Sequence, residues 1–206
     1  MPLVIAGATS GSTTVQATDA VTATITLPSA TTTLVGATTP SFTTTIGVGG
    51  ATPSASGAGI TFPATQSAST NANTLDDYEE GTFTPAIIGT TTAGAGTYSA
   101  QNGTYTKVGR AVSFQLYLQW SAHTGTGSMR VANLPFATSG AAFTYTAVAV
   151  GFFSGIALSA GYILTAYTEP SSTQITLIQT PVGGGNDIPV PIDAIAGIIL
   201  SATYFV

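Results

Sequence analysis

From Thr9 to Pro28 the chain alternates small apolar residues with threonine and carries a single charge, Asp19. Side chains of a β-strand alternate between its two faces, so this run reads as strands with one threonine face and one face of Ala, Val and Ile. A lone chain buries little with so narrow an apolar face, whereas several identical chains wound together bury it fully. The pattern points to an elongated, multi-chain β-object rather than to an enzyme.

The same economy of charge holds throughout. Charged residues make up 5% of the chain, against about 25% in an ordinary domain. Hydrophobic residues reach 44%, which sets the chain apart from disordered acidic tails. A surface this poor in charge is most simply covered by neighbouring copies. Residues 1–106 hold Asp19, Asp76, Asp77, Glu79 and Glu80 and no base, while Lys107, Arg110 and Arg130 balance Glu169, Asp187 and Asp193 in the remainder. No basic footprint for phosphate exists, so direct binding to nucleic acid is not expected. The lack of cysteine excludes disulfides and thiolate metal sites. Met1–Ala6 has no basic n-region and too short an apolar run for a signal peptide. The uncharged stretch around Ala147–Tyr167 alternates with period two and is punctuated by Gly151, Gly155 and Gly161, so it reads as β-strands rather than as a membrane insertion.

Three segments follow from the pattern. Residues 1–74 are Thr- and Gly-rich, with Pro28, Pro40, Pro53 and Pro63 forbidding long strands or helices. Apolar anchors at Val21, Ile25, Leu27, Leu34, Val35, Phe42, Ile46, Ile60 and Phe62 favour short strands paired between chains, in an N-terminal anchor and stalk or arm. Residues 75–81 form an acidic connector, read as a solvated turn. Residues 82–206 form an antiparallel β-sandwich head of jelly-roll type, with no helical periodicity. Within it, Thr82–Ile88, Gly103–Val108, Ser128–Ala132, Tyr162–Thr168, Gln174–Thr180 and Gly197–Val206 read as strands, and Glu169–Thr173 as a hairpin turn. The clearest strand is Arg110–Trp120, with Val112, Phe114, Leu116, Leu118 and Trp120 on the buried face and Ser113, Gln115, Tyr117 and Gln119 on the other. The fold class is therefore all-β, with the chain expected to be trimeric.

Catalytic chemistry is sparse. His123 is the sole histidine, in the loop-like Ser121–Gly127, and reads as a surface residue; it could supply neither a His-based metal cage nor, without a G-x-S-x-G elbow, a serine triad. The four acids Asp76, Asp77, Glu79 and Glu80 lack the EF-hand ligand pattern, and adjacent acids on a strand point to opposite faces. Glu169, Asp187 and Asp193 are too scattered to nominate a carboxylate pair. Gly183–Asp187 is followed by neither Lys-Ser/Thr nor a helix, so it reads as a flexible loop rather than a phosphate loop. Tyr98, Tyr117, Tyr145 and Tyr162 are candidates for stacking on sugars or for packing on a neighbouring subunit. No catalytic, cofactor-binding or metal-binding residue is nominated, and no cofactor.

Two stretches carry a resemblance. Ser10–Gln16 leading to Ala23–Pro28 and Thr33–Gly36, and Gly59–Gln66 running into Asn73–Pro85 with Gly103–Gly109 and Asn133–Phe136 beyond, resemble motifs of tail-fibre and other surface fibre proteins of tailed bacteriophages. The resemblance covers most of residues 9–136. It implies a trimeric, non-enzymatic virion surface protein whose β-domain is displayed outward. Residues 1–74 would attach it to other virion proteins of the capsid or the tail, and the head would meet a host surface glycan. The chain is short for a complete tail fibre, so a capsid decoration or cement protein is the rival role. A glycan depolymerase is the enzymatic alternative, disfavoured by the scarcity of acids and histidine.

Overall fold

A computed structural model describes residues 3–6, 12–15 and 45–206. The chain divides into two compact units, Met1–Phe42 and Thr43–Val206. In the first, β1 (Leu3–Ala6) pairs antiparallel with β2 (Ser12–Val15). Most of the Thr9–Pro28 alternation and the anchors from Val21 to Phe42 lie outside the described residues. The second unit opens with a short parallel pair, β3 (Thr45–Gly47) and β4 (Gly59–Thr61).

The rest is one curled antiparallel sheet. In chain order its strands are β5 (Tyr78–Phe83), β6 (Ala86–Gly89), β7 (Gly96–Val108), β8 (Ala111–His123), β9 (Met129–Ala132), β10 (Thr146–Ser154), β11 (Tyr162–Thr168), β12 (Ile175–Pro181), β13 (Ile188–Pro189) and β14 (Ala196–Phe205). Across the sheet they lie in the order β5-β7-β8-β14-β10-β11-β12-β9-β6, with β13 also on β12. The expected all-β head is thus realised as a single sheet folded over its own apolar face. The described residues contain no helix, and therefore none long and apolar enough to cross a membrane.

The inner face is the core. Val112, Phe114, Leu116, Leu118 and Trp120 of β8 are all buried, as the alternation predicts, and share one core with Ile198, Leu200 and Tyr204 of the neighbouring β14, Leu164 of β11, Leu177 of β12, and Met129 and Val131 of β9. Two polar tips are satisfied inside: Trp120 Nε1 donates to Asp193 O (2.8 Å) and Tyr204 Oη to Phe136 O (2.9 Å). The Tyr204 hydroxyl is pushed up to about 12, chiefly by burial.

Two places let the sheet fold over. In β10, Thr146–Val148 pair with β11 and Ala149–Ser154 with β14, with a register break between Val150 and Phe152. The other is Thr84–Pro85. Thr82–Ile88, expected as one strand, is two: β5 pairs with β7 and β6 with β9. Pro85 has no N–H to give a ladder and restricts Thr84, so the chain changes neighbours there. Asn133 takes a left-handed backbone (φ 68) and its Nδ2 donates to Thr84 O (3.1 Å), fixing this corner.

The acidic run is corrected by the structure. Residues 78–81, read as part of a solvated turn, are strand, and Asp77 is 4% exposed. Its carboxylate is ion-paired with Lys107 Nζ, which is equally buried and also donates to Gln66 Oε1 (3.1 Å). Period two explains the arrangement: Asp77 and Glu79 point inward toward β7, while Asp76 and Glu80 do not.

Candidate functional site

The outer face of β5-β7-β8-β14-β10 is the site the fold builds, and its residues follow from the register. One row across the strands reads Thr82, Thr104, Gln115, Ser201 and Ala149. The row beside it reads Glu80, Thr106, Ser113 and Thr203, and the row on the other side reads Asn102, Tyr117, Ile199 and Phe152. Glu80 is the one charge in these three rows. Ser113 Oγ and Thr203 Oγ1 are bonded at 2.8 Å, and Tyr117 Oη donates to Gln119 Oε1 (2.9 Å).

The face is hollowed. A trough of about 690 Å³ runs over Thr82, Thr104, Thr106, Ser113, Gln115 and Ser201, and a smaller hollow of about 210 Å³ lies between Asn102, Tyr117 and Ile199. Beyond β14, a cleft of about 660 Å³ is lined by Arg110, Tyr145, Thr146, Thr203 and Phe205 among others. The linings are mostly hydroxyl, amide and aromatic, with Glu80 at the trough and Arg110 at the cleft, groups that can hydrogen-bond and stack.

Glycine and aromatic residues alternate across β5 and β7 for a steric reason. Gly81 lies opposite Tyr105, and Gly103 opposite Phe83. A Cβ on Gly81 would stand 2.6 Å from the Tyr105 ring hydroxyl, and one on Gly103 would stand 2.5 Å from the Phe83 ring. Each ring lies flat over a glycine on the other strand, a device that pins strand register. The spacing in Glu79–Pro85 and Gly103–Gly109 is the imprint of this exchange.

The acids at the rim hold tyrosine hydroxyls. Tyr105 Oη donates to Glu79 and Tyr78 Oη to Glu80. The Tyr105 hydroxyl is pushed up to about 12, first by that bond, and Tyr78 rises for the same reason. Asp76 is held below the usual carboxylate range, mainly by the Ser69 N–H. Among the described residues no three of His, Asp and Glu come together to hold a metal ion.

The residues weighed from sequence separate clearly. Tyr117 belongs to the outer face and Tyr145 to the cleft beside it, packed 6.0 Å from Tyr167. Tyr162 opens β11, away from these rows. Tyr98 is instead structural: its hydroxyl accepts the Ile87 N–H at 2.8 Å. His123 is the last residue of β8 rather than a loop residue. Its Nδ1 accepts the Gly125 N–H (2.9 Å), so Nε2 carries the proton and donates to Ile87 O (2.9 Å). Gly183–Asp187 is an exposed turn between β12 and β13. Glu169, Asp187 and Asp193 do not form a carboxylate pair: Glu169 meets Arg130 and Asp193 accepts the Ala157 N–H.

No family model matches the chain, and no curated protein matches it. Among solved structures, the crystal structure of the Dettilon tailspike protein is similar in fold. The TM-score is 0.50 and the sequence identity 23%, with 62% of this chain covered. The matched part amounts to 23% of the tailspike chain.

Proposed function

We propose that this chain is a non-enzymatic structural protein on the surface of a tailed-bacteriophage particle, a trimeric fibre- or spike-type protein that displays its curled β-domain outward. Residues 1–74 attach it to the particle. The observation that carries the reading is the outer face: three rows across β5, β7, β8, β14 and β10 with Glu80 as their one charge, hollowed by shallow troughs. Such a face suits a neighbouring copy or a neutral polymer such as host glycan, and offers no acid–base pair for bond cleavage. The fibre-like motifs at Asn73–Pro85 and Gly103–Gly109, with their reciprocal glycine–aromatic pairs, support the same reading. So does the likeness to a tailspike fold, which favours the tail over the capsid.

Gold-labelled antibody against the chain, applied to purified particles, tests the assignment. Label at the tail is the expected result. Label on the head shell would make it a decoration protein, and particles without the chain would overturn the proposal. Light scattering of the purified chain should give three times the 20.5 kDa chain mass. Incubation with host polysaccharide should leave its chain length unchanged, and shortening would establish the depolymerase alternative.

A further inference from the structure

The chain has three bases, so each can be traced to its partner. Lys107 is buried against Asp77, and Arg130 Nη2 lies 3.5 Å from Glu169. Arg110 has no carboxylate side chain against it among the described residues. Its Nε donates to Val206 O (2.9 Å), and its two Nη groups have no acceptor among the described residues. The Gly109–Arg110 turn between β7 and β8, with Gly109 left-handed (φ 55), carries the guanidinium to the cleft of Tyr145, Thr203 and Phe205. Phe205 is 57% exposed there, and Phe143, two residues before Tyr145, is 90% exposed. Exposed aromatic rings around an arginine match the make-up of interface centres.

Seven of the eight acids fall among the described residues, Asp19 lying outside them, and these seven can be traced in the same way. Asp77 and Glu169 face bases, Asp76 accepts from Ser69 and Gln66, Glu79 from Tyr105, and Asp193 from Ala157. Asp187 is exposed in the β12–β13 turn, off this face. Glu80 remains on it, exposed, with the Tyr78 hydroxyl on one oxygen. Glu80 and Thr203, which lines the Arg110 cleft, are the two ends of a single row, Glu80–Thr106–Ser113–Thr203. Three strand spacings separate them, about 14 Å. Within one copy Glu80 and Arg110 are not paired: Glu80 holds the Tyr78 hydroxyl and Arg110 reaches Val206 O. They complement each other between copies in a head-to-tail contact, the kind that closes into a ring.

We infer that the Arg110 cleft of one copy receives Glu80 of the next. This rests on the trimeric reading above and names its contact. The two Nη groups meet the carboxylate in a fork, Phe205 and Tyr145 are covered, and the outward N–H and C=O groups of Tyr78, Glu80 and Thr82 are shielded by the neighbouring copy.

Two experiments on the full chain test the contact. Because the chain has no cysteine, the double variant Glu80→Cys/Arg110→Cys can form disulfides only at these two positions, and the single variants control for like-to-like bridges. Bridged Cα atoms lie within about 7 Å, so they cannot be joined within one copy. Mild oxidation should give a covalent trimer on a non-reducing gel, and monomer alone would overturn the contact. In sedimentation, Glu80→Arg and Arg110→Glu, each folded by circular dichroism, should raise the dissociation midpoint by about tenfold or more, and the double reversal should restore it. Should a reversal not fold, Glu80→Gln and Arg110→Gln take its place and should weaken association without rescue. Singles that associate like the wild type, an effect at Arg110 alone, or failure of the folded double reversal would each overturn the contact. Glucuronate held by the wild-type assembly and lost in Arg110→Glu would show the cleft open to a free anion, and would also overturn it. A wild-type chain that sediments as a monomer would instead overturn the trimeric reading itself.

Discussion

β5 and β6 are two halves of one short stretch on either side of Pro85, and they treat their outer edges in opposite ways. On the β6 side the edge groups are met by partners from across the fold. Pro85 O accepts from Gln101 Nε2 (3.0 Å), Ile87 N–H donates to Tyr98 Oη, Ile87 O accepts from His123, and Gly89 N–H donates to Ala93 O (3.1 Å). The first three of these bonds sew the β7–β8 side of the sheet to β6 without a ladder, and the fourth closes the loop after β6. On the β5 side Gly109 N–H donates to Asp77 O (2.8 Å), so the register turns the groups of Asp77, Glu79, Gly81 and Phe83 toward β7. Those of Tyr78, Glu80 and Thr82 point away, and no backbone or side-chain cap meets them among the described residues. An open edge is a template for association, and a capped one is not. The contrast teaches that, among the described residues, one half of this stretch is finished and the other is left open.

Their means of attachment also differ, which orders the tests. Beyond their ladders to β7 and β9, β5 is held by a buried ion pair and by rings laid on glycines, and β6 by single hydrogen bonds. Lys107→Met would leave the Asp77 carboxylate buried without its cation, and should cost about 3–5 kcal/mol in chemical denaturation. A loss below that of any β6 variant would reverse the comparison. Gly103→Val should force the Phe83 ring off its seat and cost about 1–3 kcal/mol. Restoration of stability by the added change Phe83→Ala would show that the ring and no other neighbour sets the cost. Tyr98→Phe removes the acceptor of one β6 N–H and should cost about 1 kcal/mol. Its sharper signature is faster amide exchange at Ile87 with little change at β5, and uniform acceleration would mean that the seam has no local character. The smallest effect is alkaline. Tyr105 and Tyr204 release their protons near 12 in the folded chain, against about 10 when unfolded. Above pH 10 the unfolded chain binds fewer protons, so stability should hold below about pH 10 and fall as pH rises toward 12. Absorbance titration of the eight tyrosines should show Tyr105 and Tyr204 ionising last, with Tyr78 and Tyr98 also shifted upward.

Much of the head was legible because alternation is a local signal. The run from Val112 to Trp120 announced both faces of β8, and Ser113, Gln115 and Tyr117 were already placed on the outward one. The Glu169–Thr173 turn and the strand ending at Phe205 were equally plain. The candidate face was not, because its rows exist only once register sets Thr82 beside Thr104 and Gln115 beside Ser201. His123 and Tyr98 carried no signal, since their common partner Ile87 is remote in sequence and is met through the backbone. The acidic run misled for another reason. Four acids in five residues look solvated by composition, yet the faces alternate, and Asp77 turns inward where Lys107 waits thirty residues downstream.

Where β14 lies has a bearing on how the protein is made. The last strand in the chain sits near the middle of the sheet, between β8 and β10. Once β8 has left the ribosome, its apolar face, with Trp120 and Leu116 on it, is exposed while the strand that will pair along its open edge is still unmade. The edge of β8 must wait for Ala196–Phe205, about eighty residues further on, and pairings so distant in sequence form slowly. A nascent chain in that interval is a sticky intermediate. Expression at lower temperature or with a chaperone should therefore raise the soluble yield, and a stop codon placed just before Ala196 should give only aggregate.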